Sequence, residues 1–306
     1  MQPAAPLRRK DLAAVVMVVA IWGSNFAVMK VGLASFTPFQ MGAGRFLFAC
    51  VPLALLLPRP AVRTRWLIAF GLTQGVGQFG LLFVALQVGM SAALASVLMQ
   101  TQAFFSALFG ALLLREHVMT PLKVGMVFAL AGLACFAANF RLAPGDASTT
   151  GVGLALTLGA AAMWALSNSV VRKAQADAGS FEPVSFVAWS SAVPVLPLLA
   201  LSWCFDDTAA HANWLHVPWQ GWLVLAFLGW LATDLAYGLW TALHKRYPAR
   251  RVAPFSLGVP LVGLATGVTL LGERVAPLQW LGAALVLCAL VSVLLGPWLA
   301  VRRRAA

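Results

Sequence analysis

Residues 11–33 read DLAAVVMVVAIWGSNFAVMKVGL, and no charge falls between Asp11 and Lys30. Roughly 20 apolar residues wound as a helix cross the hydrocarbon of a bilayer, so this stretch is expected to span one. Working outward from it, nine more runs of the same kind follow. Their limits are 38–57, 66–88, 91–114, 122–140, 151–171, 183–204, 219–243, 251–271 and 276–298. Turn and charge chemistry marks the breaks, at Pro58-Arg59-Pro60, Arg115-Glu116-His117, Ala143-Pro144-Gly145-Asp146, Asp206-Asp207 and Arg246-Tyr247-Pro248. Hydrophobic residues make up 61% of the 306 positions and charged ones 10%, with a mean hydropathy of +0.87. A soluble domain of this size has too small a core for that much apolar surface. Closed β-barrels are excluded as well, because their strands alternate polar and apolar residues. The expected fold is all-α and integral to the membrane, with ten transmembrane helices and almost no chain left for a soluble domain.

The first run follows Arg8-Arg9-Lys10, as a secretory signal would. It is too long for one, carries Trp22 and Asn25, and precedes nine further runs, so it is read as an uncleaved anchor. The four cysteines, Cys50, Cys135, Cys204 and Cys288, lie in or at the edge of runs as core filler, without disulfide or metal spacing. No cofactor is implied.

A net charge of +12 raises the question of nucleic acid, and its distribution answers it. With a cytoplasmic N-terminus, seventeen of the Lys and Arg residues lie inside and only Lys30, Arg141 and Arg274 lie outside, Arg45 being within a run. That is the positive-inside bias, so the basic excess encodes topology and not a nucleic-acid footprint. Ten spans return the C-terminus to the cytoplasm as well.

The second half of the chain echoes the first. Leu114-Arg115-Glu116-His117-Val118 matches Leu271-Gly272-Glu273-Arg274-Val275, and Gly125 matches Gly282 at the same offset. Val51-Pro52 matches Val193-Pro194, Trp22 matches Trp164, and Asn25 and Lys30 match Asn168 and Lys173 one residue further on. Residues 1–145 and 146–306 thus form two five-helix repeats. An odd number of spans inserts the copies from opposite sides, giving an inverted-topology repeat of the kind secondary transporters use.

Polar residues within spans usually face the bundle interior. Trp22 and Asn25 share a face of span 1, and Trp164 and Asn168 share the matching face of span 6. Gln74 and Gln78 share a face of span 3. Gln100 and Gln102 point in roughly opposite directions around span 4, so only one of them is expected to reach a cavity. In span 8, Trp230, Asp234, Tyr237 and Thr241 form one stripe. These amides and aromatics suit a cavity for a small solute with apolar and hydrogen-bonding parts; the alternative is that they tie helices together. Asp234 lies well inside the bilayer, where proton binding, ion coupling or an ion pair is the default expectation, against a neutral buried acid or one in a wet vestibule. Arg45, seven residues into span 2, is read as snorkelling to the outer interface or packing helices, with receipt of a substrate carboxylate as the alternative. Glu116 and Glu273 read as helix-end ion pairs. Pro254 and Pro260 interrupt span 9, as a hinge or a static bend.

These residues resemble the EamA family of the drug/metabolite transporter superfamily over essentially the whole chain. The matching stretches are Trp22-Gly23-Ser24-Asn25-Phe26, Gln78-Phe79, Gly89-Met90, Gln100-Thr101-Gln102-Ala103-Phe104-Phe105, Arg251-Val252-Ala253-Pro254 and Leu278-Gln279 with Leu281-Gly282-Ala283. The glutamine-pair run before Phe104-Phe105 is similar to the branch that exports O-acetylserine and cysteine. The resemblance implies export of small amino-acid metabolites across a bacterial inner membrane, along a path mapped onto Asn25, Gln78, Gln100, Asn168 and Tyr237. Asp234 is no part of the family's general pattern and becomes the candidate for proton coupling, for which the resemblance supplies no fixed ion.

Three rival readings fare less well. A polytopic membrane enzyme needs acid pairs or a His/Asp pair at the membrane face, whereas His117, His211, His216 and His244 lie in loops or at span ends and the pair Asp206-Asp207 lies in an outer loop. A scaffold or sensor would need an effector domain. A nucleotide-sugar carrier wants several basic groups in its cavity, and only Arg45 lies clearly within a span. Exporters of other amphiphilic solutes, such as aromatic amino acids or drugs, remain the alternative within the class.

Overall fold

The computed structural model describes residues 8–114, 120–142 and 150–305. The breaks expected at Arg115–His117 and Ala143–Asp146, and Glu116 with them, lie outside the described residues. Among the described residues every regular element is a helix. Nine stretches are long and apolar enough to cross a membrane: α1 (Arg9–Gly32), α2 (Pro38–Leu56), α3 (Thr64–Gln87), α4 (Ala92–Leu112), α5 (Leu122–Asn139), α6 (Gly151–Ala178), α7 (Pro183–Phe205), α8 (Trp219–Arg246) and α9 (Ala253–Leu270). A further helix, α10 (Pro277–Ala305), carries a shorter apolar stretch over Pro277–Val293.

Local chemistry sets the helix ends. Thr37 closes a capping box with Gln40 ahead of α2, and Pro38 and Pro183 occupy first turns, where a missing N–H costs nothing. Gly179, at φ 72°, ends α6 in a conformation that favours glycine.

Several helices depart from regular α geometry, and the departures come in pairs. The middle of α3 (Gly71–Gly80) and of α8 (Phe227–Leu235) winds as π-helix. A short 3₁₀ turn interrupts α4 at Met99–Thr101, and another opens α9 at Ala253–Leu257, beside Pro254. Both α2 and α7 break next to a proline, at Pro52 and Pro194.

The packing is paired in the same way. α1 lies against α9 and α8, while α6 lies against α4 and α3; α2 contacts α8 and α7 contacts α3. α2 with α7, α4 with α9, and α5 with α10 complete the bundle. The last of these is a close backbone approach. A Cβ on Gly132 would meet the Gly282 carbonyl oxygen at 2.8 Å, and one on Gly282 would meet that of Gly132 at 2.9 Å. Small residues give membrane helices this proximity, since burial of apolar side chains drives little association in lipid.

The described connections sort to two ends. At one end, the Asp177 carboxylate takes Arg63, Arg65 and the Trp66 indole, tying the α6–α7 turn to α2–α3. Lys245 donates to Glu182 at 2.8 Å and holds that carboxyl below its usual range, although both partners are half exposed and the link adds little stability. Arg246 and Tyr247 both donate to Asp11 at 2.8 Å, fastening the start of α1 to the end of α8. At the opposite end Thr37 donates to Asp206 at 2.6 Å, Gln40 to the Ala210 carbonyl at 3.0 Å, and Thr150 to the Val88 carbonyl at 2.9 Å.

This second end corrects the reading of Glu273 as half of a helix-end ion pair. Its carboxylate accepts from the backbone N–H groups of Ala92 at 2.7 Å and Ala93 at 2.8 Å, while Ser91 takes that of Leu94. Three of the four N–H groups left open at the start of α4 are thereby satisfied, by an acid 181 residues away from the first of them. Lys30 does the reverse one turn of chain earlier. Its ammonium donates to the carbonyls of Leu86 at 2.6 Å and Met90 at 3.1 Å, at the end of α3. Anion at a helix start and cation at a helix end both agree with the helix dipole. Replacing Glu273 by Ala is expected to cost about 2 kcal/mol, the scale of buried hydrogen bonds to a charged group. Glu273→Gln should recover part of it, because an amide oxygen still accepts. Thermal unfolding of the detergent-solubilised protein measures both.

Candidate functional site

A cavity of about 590 Å³ opens among α3, α4, α6, α7 and α8. Arg172, Gln175 and Phe181 line it at the end that carries the Asp177 and Glu182 links, and Gln74, Asn168 and Tyr237 line it further into the bundle. Phe70, Phe186 and Trp240 supply aromatic walls, and Ser106 and Thr241 add hydroxyls. Such a mixture holds a solute by apolar contact and fixes its orientation by a few hydrogen bonds.

The π winding of α3 decides which way its amides point. Gln74 turns to α6, where its Oε1 accepts from the Ser167 hydroxyl. One turn further, Gln78 is buried and its Oε1 has no hydrogen-bond partner. On α6, Asn168 Nδ2 donates to Gln102 Oε1 at 3.2 Å, an oxygen that also accepts from Ser106 at 3.3 Å. Of the glutamine pair on α4, Gln102 therefore joins the cavity network. Gln100 stays with its own helix, donating to the Ser96 carbonyl at 3.4 Å. The 3₁₀ turn at Met99–Thr101 lies between the two orientations.

The stripe expected on α8 is split by the π segment. Tyr237 and Thr241 line the cavity, whereas Trp230 is 44% exposed on the bundle's outside and donates to the Val51 carbonyl at 3.2 Å. An α spacing of three and four residues keeps a face only where the winding stays α. Trp22 stands behind the cavity. Its indole donates to the Ala232 carbonyl at 2.9 Å, and its ring meets Tyr237 and Trp240 edge-on at 5.3 and 5.5 Å. Trp164 packs against the main apolar core, and its carbonyl accepts from Ser167 at 2.7 Å.

Arg45 does not snorkel. It is 2% exposed and turned into the bundle, with its guanidinium 3.8 Å from the Phe79 ring centre and 5.9 Å from that of Phe46. One terminal nitrogen donates to Thr233 at 3.1 Å and the other reaches Asn25 Oδ1 at 3.5 Å, while Nε is left without a partner. Thr233 is held in turn by donating to the Leu228 carbonyl at 2.9 Å, five residues back in the π segment. Asp234 follows Thr233 in the chain, and Tyr237 lies one turn further along α8. Asp234 Oδ1 is buried and likewise unpartnered. The structure thus gathers Asn25, Arg45, Thr233, Asp234 and Tyr237 at one polar centre, and Tyr237 joins that centre to the cavity. The signal for Arg45 was its position alone; its depth along α2 is readable from sequence, but the direction of the side chain is not.

Among the described residues no group of three His, Cys, Asp or Glu side chains is placed to hold a metal ion.

The EamA-like transporter family model matches residues 10–138 and, a second time, residues 151–295. A probable amino-acid metabolite efflux pump of Escherichia coli (strain K12) is 36% identical over 285 residues, covering 93% of this chain and 94% of the relative. A protein of the same description from Salmonella typhimurium is 37% identical over 291 residues, with the same two coverages. A probable terminal-alkyne amino-acid exporter of Streptantibioticus cattleyicolor is 26% identical, covering 90% of each chain. A solved crystal structure at 17% identity covers 98% of this chain and 100% of its own with a TM-score of 0.60, a likeness of fold.

The cavity predicts a pattern of thiol reactivity. On a background without the four native cysteines, Ser106→Cys and Asn168→Cys should react with a water-soluble maleimide about tenfold faster than Gln100→Cys, since exposure controls access to the thiolate. Equal rates at all three positions would contradict the cavity as described.

Proposed function

Because this chain belongs to the EamA-like transporter family, we propose that it exports small amino-acid metabolites, of the cysteine and O-acetylserine kind, across a bacterial inner membrane. The chain is a multi-pass membrane protein with a small-molecule substrate, a transporter and not an enzyme. The observation that carries the export reading is its similarity, along nearly the whole length of both chains, to two proteins described as amino-acid metabolite efflux pumps.

We read the architecture as ten transmembrane helices in two inverted five-helix repeats, residues 1–145 and 146–306. Support comes from three independent patterns: the family model matching twice, the paired π, 3₁₀ and proline breaks, and packing pairs that map onto one another when α1–α5 are exchanged with α6–α10. A bundle of that symmetry works by alternating access, one half rocking against the other around a site near the midplane. The basic residues at the Asp177 and Glu182 end support the reading that this end, with both termini, faces the cytoplasm, by the positive-inside rule. The cavity then opens inward, and the links around Lys30, Glu273, Thr37 and Asp206 close the outer side.

In this reading the solute enters past Arg172 and Gln175 and is held along Gln78, Asn168 and Tyr237, with Gln102 bonded to Asn168 in place of the expected Gln100, Trp22 and Trp164 bracing the walls and Asn25 at the polar centre. Asp234 is the group assigned to proton exchange, since a carboxyl at that depth is costly to keep charged and unpaired. The width of the cavity and its aromatic walls favour a second reading, export of a bulkier amphiphilic solute such as an aromatic amino acid.

Proteoliposomes loaded with labelled cysteine, O-acetylserine or phenylalanine test both. The account expects protein-dependent efflux of the first two, faster under an imposed pH gradient. Efflux of phenylalanine alone would replace the substrate class, and efflux of none would remove the export reading. Asn25→Ala and Asn168→Ala should each slow efflux at least about tenfold, the loss of one or two buried hydrogen bonds, with expression unchanged. Asp234→Asn should abolish the response to the gradient.

A further inference from the structure

The polar centre holds more unsatisfied capacity than a structural ion pair would leave. Buried polar atoms are almost always hydrogen-bonded, and each exception calls for an explanation. Three such orphans fall on neighbouring elements here: Arg45 Nε on α2, Gln78 Oε1 on α3 and Asp234 Oδ1 on α8. Arg45 stacks on Phe79, the residue next to Gln78, and donates to Thr233, the residue next to Asp234. A buried guanidinium thus bonds the residue beside a carboxyl whose Oδ1 is buried, yet neither Arg45 Nε nor that oxygen has a hydrogen-bond partner. Had the pair evolved only to neutralise itself, the fork of the guanidinium and the carboxylate would be expected to meet directly, as such groups do when nothing competes.

A guanidinium and a carboxyl that leave each other unbonded suit an object with one negative and one positive group on a single carbon. An α-amino acid is that object: net neutral, with a carboxylate for Arg45 and an ammonium for Asp234. Inserting it between the two residues keeps the centre neutral, gives Arg45 Nε and Asp234 Oδ1 their missing partners, and leaves the side chain of the solute free to extend past Tyr237 into the cavity. Gln78 Oε1 offers a second acceptor for the ammonium. The Phe79 ring and the Thr233 hydroxyl fix the guanidinium plane before the solute arrives, which lowers the ordering cost of binding.

We propose that Arg45 and Asp234 form a split-charge receptor for the zwitterionic head of an α-amino acid, Arg45 taking the carboxylate and Asp234 the ammonium. The proposal deepens the export reading and rests on it for the amino-acid class. It leaves the solute side chain to the cavity walls, so cysteine-like and aromatic amino acids share one head site. It also gives proton coupling a physical form, because ammonium and proton compete for the same carboxylate.

A functional-group series tests it on the purified protein, with tryptophan fluorescence as the readout, since Trp22 and Trp240 flank Tyr237. The probes are cysteine, cysteamine and 3-mercaptopropionate, and in parallel phenylalanine, 2-phenylethylamine and 3-phenylpropionate. Each parent should bind at least about tenfold more tightly than its amine or its acid, the scale of a lost charge-assisted hydrogen bond. Arg45→Gln should bind parent and amine alike, and Asp234→Asn should bind parent and acid alike, each variant losing discrimination only for the group its own residue receives. Arg45→Lys, which keeps the charge, should restore part of the preference for the carboxylate. The phenylalanine series separates the two readings. A silent cysteine series beside a discriminating phenylalanine series would discard the cysteine-like substrate and keep the receptor. Wild-type binding of amine or acid as tight as the parent would overturn the receptor while leaving export of cysteine intact. So would variants that lose all six probes equally while retaining the thermal stability of the wild type.

Discussion

Inside hydrocarbon no water compensates a bare charge or an unpaired backbone group, and this constraint organises the molecule. Each charge drawn into the bundle has been given a task that the backbone or another charge requires. Glu273 takes N–H groups at the start of α4, and Lys30 takes carbonyls at the end of α3. These two residues pin the α3–α4 turn from α9–α10 and α1, so the closed end of the bundle is fastened across its halves. Arg45 and Asp234 are the exceptions, because Arg45 Nε and Asp234 Oδ1 are buried without partners. That incompleteness distinguishes the polar centre from the two clamps.

The helix irregularities serve the same end. In a straight α-helix every interior carbonyl already accepts from the backbone four residues on, and a side chain that bonds it must share it. Where α8 winds as π-helix, the Leu228 carbonyl is available to the Thr233 hydroxyl, which in turn positions Arg45. The π segment of α3 likewise places Gln74 toward α6 and leaves Gln78 buried with its Oε1 unpartnered. Helices carrying short irregular segments beside the cavity hold its side chains in fixed directions.

Much of this was legible in the sequence for plain physical reasons. Run length sufficed for nine helices long enough to span and for the shorter apolar helix at the tenth position, because hydrocarbon thickness imposes their length. Tyr237 and Asn168 were found by their polarity within apolar runs. What escaped depended on winding or on distant partners. Trp230 left its stripe because the turn beneath it is π and not α, and Gln102 rather than Gln100 meets Asn168 beyond a 3₁₀ turn. Glu273 looked like half of a local ion pair because its true partners lie 181 and 180 residues away. Arg45 was misplaced because depth along a helix does not reveal whether a long side chain turns outward or inward.

The central claim is that the cavity ends on a pair of opposite charges held apart for an amino-acid head group. A structure of the protein in lipid nanodiscs with bound phenylalanine or cysteine tests it most directly. The account predicts the solute carboxylate about 3 Å from the Arg45 guanidinium, at hydrogen-bond distance, with the ammonium toward Asp234 and the side chain past Tyr237. A solute seated instead near Arg172 and Gln175, with Arg45 and Asp234 untouched, would contradict it.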